Sequence, residues 1–169
     1  MMDSLFESWS LRDEYASWLK SLEGKRAKDL GKTECQRCGY CCACRPCIPT
    51  PDELRTIVKF LTIGVKEAVK KYFVIDALEE EGTKFLFPAK ETQIDLCGRY
   101  VPWRRTYDKG FCIFFNKQTH ECKIWPVRPK CAQTFECWTE DVNGEEELKQ
   151  VINSWKGVDF SEFIEEVKE

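Results

Sequence analysis

Residues 35–47 read CQRCGYCCACRPC, six cysteines within thirteen residues. Five of them recur at every third position, and Cys42 directly follows Cys41. Core packing gives no reason for such a density of thiols, whereas short C-x2-C spacings bring thiolates to one metal ion or cluster through tight turns. A segment with Gly39 and Pro46 at these positions is also a poor helix. We therefore predict a loop folded around metal.

Four further cysteines follow at wider spacing, and the chain can bring them back to the first group. These are Cys112, Cys122, Cys131 and Cys137. Eleven cysteines in all, an odd number, argue against a fully paired disulfide framework. The predicted site therefore has two halves, one local and one assembled from the second part of the chain.

The bulk composition sets limits on the class of protein. The 169 residues, 43% of them hydrophobic, suffice for one small domain with a core. The net charge is only −3, so we expect neither nucleic-acid binding nor attachment to a charged membrane surface. No stretch approaches the roughly 18 apolar residues of a membrane helix, and the first residues lack a signal-peptide pattern. We expect a cytoplasmic protein.

Hydrophobic periodicity predicts a helix-rich α+β fold, namely a small single domain with irregular cysteine-rich loops, one β-hairpin and flanking helices. Helices are expected over residues 3–23, from a Thr50 capping box to Leu61, over 65–80, near Pro129, and over 144–155 and 160–168. Short strands are expected at the FLFP, QIDL and RYVPW runs. The hairpin is expected to pair Phe111–Phe115 with Glu121–Trp125, with Cys112 on the first arm and Cys122 on the second. The expected segments are 1–34 (helix and linker), 35–139 (cysteine-cluster domain) and 140–169 (acidic helical tail).

The cysteine pattern resembles a known family. Its three parts are Cys35-x2-Cys38-Gly39-x-Cys41-Cys42, then Phe111-Cys112-x-Phe114, then Cys122-x-Ile124-Trp125-x-Val127-Arg128-Pro129-x-Cys131. In this order they are similar to the CxxCxxCC family of zinc- or iron-chelating domains, also called the YkgJ-like cysteine-cluster family. The resemblance implies a compact metal-binding domain whose ligands are Cys35, Cys38, Cys41, Cys42, Cys112, Cys122, Cys131 and Cys137. The family pattern stops at Cys42, so it gives no role to Cys44, Cys47 or Cys97.

The spacing of the cysteines also bears on whether the metal is zinc or iron. Cys38, Cys41 and Cys44 resemble the first three ligands of a bacterial ferredoxin, but Ile48 stands where the fourth cysteine is expected. Zinc sites usually pair two C-x2-C motifs, and the second half of this chain has none. The aromatic residues near Cys112 and Cys122 suit a water-poor shell around a cluster. We favour a 4Fe-4S cluster, with zinc as the alternative.

Three functions follow as hypotheses. The first is a metal-binding accessory protein that acts in electron transfer, redox sensing or maturation by docking to a protein partner or a larger enzyme complex. The second is a zinc-stabilised interaction module, in which the metal only folds the domain. The third is an iron–sulfur enzyme, because flagellin lysine methylases carry a related cluster motif. No pair of residues specifies a reaction, so we assign no catalytic residue.

The sequence allows more than one role for His120 and for Arg128, two residues near the second half of the site. His120 is the only histidine, and an exposed turn residue is the better interpretation than a ligand. For Arg128 the sequence allows hydrogen bonds to loop carbonyls, substrate binding or stabilisation of a thiolate, the first being favoured.

Overall fold

The computed structural model describes residues 14, 16–44, 47–77, 82–101, 110–134 and 144–165. Residues 16–21 are helical (α1), so the end of the first predicted helix is confirmed and its start lies outside the described residues. The predicted cysteine loop contains one short helix, α2 (Tyr40–Cys44), and its other described residues are irregular. The fold is the expected helix-rich α+β arrangement.

Helix α3 (Pro51–Leu61) begins at the predicted capping box. The Thr50 hydroxyl accepts a hydrogen bond from the Glu53 backbone at 3.2 Å, and the Glu53 carboxylate accepts one from the Thr50 backbone at 2.8 Å. These two bonds satisfy backbone donors that a helix start otherwise leaves without partners. The apolar face of α3 is buried, with Leu54 and Ile57 fully so.

The predicted helix over residues 65–80 is wrong for residues 73–77, and residues 78–80 lie outside the described ranges. Helix α4 (Val65–Tyr72) ends at Tyr72, and the chain continues directly as strand β1 (Phe73–Ala77). Every residue of β1 is buried, and the strand pairs antiparallel with β2 (Lys84–Pro88), from Phe73 opposite Pro88 to Ala77 opposite Lys84. Pairing with a distant strand therefore overrides the local helical pattern.

The three predicted short strands have different outcomes. The FLFP run lies in β2, as predicted. The QIDL run is not a strand but part of a 3-10 helix, Glu91–Leu96, whose start is stabilised by the Gln93 amide accepting from the Lys90 backbone at 2.9 Å. From the RYVPW run, Tyr100 forms a parallel bridge with Ile75, and the residues from 102 onward lie outside the description.

The hairpin exists, but its arms are shorter than predicted. Its strands are β3 (Phe115–Asn116) and β4 (Glu121–Cys122), with Phe115 opposite Cys122. Cys112 is not on the first arm; it forms an isolated antiparallel bridge with Lys90. The predicted second arm ends early because a 3-10 helix, Trp125–Val127, follows β4. Helix α5 (Lys130–Gln133) then starts after Pro129, as predicted.

The last part of the chain packs into the main core. Helix α6 (Gly144–Asn153) agrees with the prediction, whereas the described part of the second predicted tail helix is only a 3-10 helix, Phe160–Glu162. Trp155 and Phe163 are buried in one cluster with residues of α3, α4, β1 and β2. The Trp155 indole N–H donates to the Pro49 carbonyl at 2.8 Å. The tail is thereby attached to the segment that leaves the cysteine loop.

The described residues contain no helix with the length and apolar character needed to cross a membrane.

Candidate metal centre

A cavity of about 270 Å³ lies between the cysteine loop and the region from Cys112 to Gln133. Eight thiols line it, from both predicted halves of the site. They belong to Cys35, Cys38, Cys41, Cys42, Cys47, Cys112, Cys122 and Cys131.

The first half is shaped by a sharp turn and a short helix. Gly39 has φ 85°, a left-handed conformation that glycine adopts without steric cost. Helix α2 follows at once and carries Cys41 and Cys42. Ala43 on the same helix is buried against Phe111 in a small cluster that Phe115 also joins. This packing holds α2 close to the second half of the site.

A backbone hydrogen bond joins the two halves directly. The Cys112 N–H donates to the Cys42 carbonyl at 2.8 Å. Cys112 is held on its other side by the bridge to Lys90, which follows closely after β2. Two cysteines far apart in the sequence are therefore neighbours through main-chain contacts, independent of any metal.

Cys47 and Cys131 form a second contact between the halves. The Cys131 thiol donates to the Ile48 carbonyl at 3.4 Å, and the Cys47 and Cys131 side chains are hydrogen-bonded to each other. The start of α5 is anchored as well, because the Lys130 N–H donates to the Glu53 carboxylate at 2.8 Å. The same carboxylate that caps α3 thus positions the helix that carries Cys131.

Burial and mutual proximity keep the metal-free thiols protonated. Burial, with the neighbouring Cys112 and Cys122, raises the pKa of Cys42 to about 12. The pKa of Cys47 is raised chiefly by its hydrogen bond with Cys131, and burial raises the pKa of both Cys112 and Cys122. Since thiolates are the ligands of metals, metal binding here must release protons.

Two cations oppose this effect. The buried Lys90 lowers the pKa of Cys112, Cys42 and Cys47 by its charge, and Arg128 does the same for Cys122. A positive charge near a thiol favours the thiolate form. These charges offset the effect of burial only in part, since the pKa of each of these four thiols stays above its ordinary value.

The rim of the cavity is aromatic and basic. The Arg128 guanidinium carbon lies 3.4 Å from the centroid of the Trp125 ring, and that of Arg37 lies 4.5 Å from it. His120 is exposed in the turn between β3 and β4, as expected, and its ring nitrogen Nδ1 is 3.2 Å from the carbonyl of the distant Arg37. All four residues line the cavity.

Within the described ranges, no three Cys, His, Asp or Glu side chains converge closely enough to hold a metal ion as they stand. The donor set nevertheless fits, because thiolates are the common ligands of zinc and of iron–sulfur clusters. The buried Nε of Arg128, which has no hydrogen-bond partner among the described residues, fits as well. Such a donor in a thiol-lined cavity suits sulfur that carries negative charge. Binding of metal would require the thiols to draw together.

Seven of the eight predicted site residues line this one cavity, and the eighth, Cys137, lies outside the described residues. Sequence reasoning missed Cys47, although the recurrence of cysteine at every third position included it. Cys97 is not among the lining residues; its sulfur is 4.0 Å from the Gln93 carbonyl in the 3-10 helix. The side chain of Cys44 is outside the description.

Comparison with known proteins gave one match. A sequence model of the family CxxCxxCC, described as "Putative zinc- or iron-chelating domain", matches residues 34–155. The match covers most of the chain, from just before Cys35 to Trp155, and so includes every cysteine that lines the cavity. No curated protein and no solved structure matched.

Proposed function

Because this chain belongs to the CxxCxxCC family of zinc- or iron-chelating domains, we propose that its cavity holds a 4Fe-4S cluster. The protein is then a metal-binding accessory protein that acts in electron transfer, redox sensing or maturation by docking to a protein partner. When bound, the cluster supplies a one-electron redox couple. The proposed ligands come from the eight cysteines predicted from the sequence, together with Cys47.

The observation that carries the proposal is the number of cysteines around the cavity, taken together with the volume of the cavity. Four thiolates at about 2.3 Å complete a tetrahedral zinc site and leave no cavity among them. Here eight cysteines line one cavity of about 270 Å³, twice as many as one tetrahedral zinc site uses. A cluster that brings its own sulfide ions uses such a volume better than one zinc ion.

The shell around the thiols supports the same proposal. Phe114 and Ile124 are buried and line the cavity beside Phe115 and Trp125. An apolar shell limits access of water and helps to set the reduction potential of a cluster. Cys35, by contrast, is exposed. The exposed edge of the site is where we propose that a partner docks.

The test is to purify the protein without oxygen and to measure iron, sulfide and zinc per chain together with the absorption spectrum. We expect stoichiometric iron and sulfide and a broad thiolate-to-iron absorption that bleaches on reduction. Stoichiometric zinc without iron or sulfide would contradict the cluster and leave the zinc-stabilised interaction module as the function.

Single substitutions test which cysteines contribute. Cys131→Ser and Cys38→Ser should each abolish metal loading, since each removes a thiol from the cavity. The matched control is Cys97→Ser, which changes a partly buried cysteine outside the cavity. Full loading of either cavity variant would remove that cysteine from the proposed ligands.

The zinc alternative has one observation in its favour. The segments around the cavity contain little regular structure: α2 has five residues, and β3 and β4 have two each. Loops of this kind are typical of domains that a structural metal ion folds. Loss of secondary structure on removal of bound zinc by a chelator would support this function, and an unchanged circular dichroism spectrum would argue against it.

A further inference from the structure

Arg128 has a buried donor that finds no acceptor among the described residues. Its Nε is inaccessible to solvent and makes no hydrogen bond to any part of the chain that the structure describes. Most buried polar atoms in proteins have a partner, and an exception requires an explanation such as an ion or ligand that is to be bound. Other atoms of the same side chain line the cysteine cavity, so thiols that draw together around metal can bring an acceptor to the covered Nε.

The guanidinium is held by a ring contact, and the backbone that carries it is restrained as well. Its central carbon lies 3.4 Å from the centroid of the Trp125 ring, a cation–π contact that favours one orientation of the planar group. The backbone of Arg128 is fixed as well, since its carbonyl accepts a hydrogen bond from the Gln133 side chain at 2.6 Å. Residue 129 is proline, which further restricts the local backbone. The donor is therefore preorganised.

Cys122 lines the same cavity as Arg128 and precedes it by six residues. Among the residues that the structure describes, the Arg128 Nε is the buried side-chain donor in this lining that has no protein acceptor.

We propose that Arg128 is a positioning residue of the metal centre, which donates its Nε–H to negatively charged sulfur beside Cys122 once metal is bound. The inference rests on the proposed metal-binding function and goes beyond it by assigning an outer-shell group. Outer-shell hydrogen bonds orient ligands and stabilise their charged form. Arg128 accordingly stabilises the loaded site and favours the reduced, more negative state of a cluster.

The first experiment compares Arg128→Gln with wild type by chelator competition on the protein as isolated, whichever metal it carries. Loss of an outer-shell partner weakens metal binding by roughly 10–100-fold, and we expect a change of this size. The control is Arg99→Gln, an exposed arginine outside the cavity, which should bind metal as wild type does. Equal affinities of wild type and Arg128→Gln would overturn the proposal.

The second measurement detects an effect that a merely structural role would not produce. With a cluster bound, Arg128→Gln should lower the midpoint potential, and a tenfold loss of preference for the reduced state corresponds to about 59 mV for one electron. Arg128→Lys keeps the charge but lacks the Nε donor, so we expect an intermediate potential. If the midpoint potential of the lysine variant equals that of wild type, the proposed hydrogen bond from Nε is overturned.

Metal analysis of wild type separates this proposal from the proposed function. If the isolated protein carries zinc, the proposal of a cluster is wrong. The proposed role of Arg128 is then tested by chelator competition and by the sulfur-to-metal charge-transfer band of the cobalt-substituted protein. A hydrogen bond withdraws electron density from sulfur, so Arg128→Gln should shift that band to longer wavelength. An unshifted band together with unchanged affinity would overturn the proposal. If Arg128→Gln does not fold, the lysine variant decides by the same two measurements.

Discussion

Gly39 shows how one residue connects backbone conformation with the geometry of the site. It combines φ 85° with a close approach to two aromatic rings. A Cβ added there would lie 2.6 Å from Phe115 Cε1 and 3.2 Å from Trp18 Cζ2. The turn before α2 therefore requires glycine for both conformation and space.

Gly39→Ala should destabilise the protein by about 2–5 kcal/mol, the sum of left-handed strain and overpacking against Phe115. Gly24→Ala is the matched control, because Gly24 has φ 76° but nothing within 4 Å of the added Cβ. The control should lose only about 1 kcal/mol. Urea unfolding of both variants measures the difference, and equal losses would show that the contact with Phe115 costs nothing.

Cys47 is the residue for which tertiary structure adds most to the sequence pattern. We expect Cys47→Ser to weaken metal binding, with a loss of affinity larger than the roughly 10–100-fold loss caused by removing an outer-shell partner. The reason is that Cys47 lines the cavity and contacts Cys131. Metal per chain after dialysis against a chelator is the measurement. Wild-type retention would assign Cys47 to packing alone.

Among the secondary-structure elements, the junction of α4 and β1 shows the limit of local patterns. The spacing of Val65, Ala68, Val69 and Tyr72 predicts α4 correctly. The residues that follow continue an apolar pattern, but they form a strand because β2 offers backbone partners along all of β1. A short apolar run is compatible with helix or strand, and pairing decides between them.

The last 3-10 helix is joined to α3 by an ion pair. Both guanidinium bonds from Arg55 to the Glu162 carboxylate measure 2.8 Å, and Arg55 also contacts Asp52. The hydrogen bonds from Arg55 hold the pKa of Glu162 below its ordinary value of 4.5. A carboxylate with a depressed pKa in the folded state contributes stability above its unfolded pKa. This contribution is lost as the pH falls through the folded value.

Glu162→Gln should therefore cost less than about 1 kcal/mol at neutral pH, since the pair is partly exposed and screened by solvent. The difference from wild type should shrink as the pH falls below 4.5. Glu165→Gln, which removes the more exposed pair with Lys70, should have a smaller effect at neutral pH. Chemical unfolding at several pH values measures this, and a difference independent of pH would refute the ion-pair account.

For the molecule as a whole, Trp155 connects the tail, the core and the cysteine loop. It is 1% exposed, packs against Phe160 and Phe163, and donates to the Pro49 carbonyl. Pro49 follows Cys47 by two residues, so the position of that part of the cavity depends on the tail. The family match extends to the same tryptophan.

Trp155→Ala should destabilise the protein by about 3–5 kcal/mol because it leaves a large cavity in the core. Trp155→Phe keeps most of the packing but removes the donor to a buried carbonyl, which costs about 1–3 kcal/mol. Both are measured by urea unfolding and by metal content. A phenylalanine variant as stable as wild type would show that the hydrogen bond to Pro49 contributes nothing.

The sequence allowed the helix-rich class, the capping box of α3 and seven of the described cavity cysteines to be predicted. These features depend on near neighbours along the chain: Thr50 with Glu53, or cysteines at short spacing. The strand at Phe73 and the buried donor of Arg128, which has no partner among the described residues, could not be predicted in this way. They depend on contacts between distant segments, such as the bond from the Cys112 N–H to the Cys42 carbonyl. Folding alone decides which backbone and side-chain groups become partners across such distances, and which are left facing the cavity.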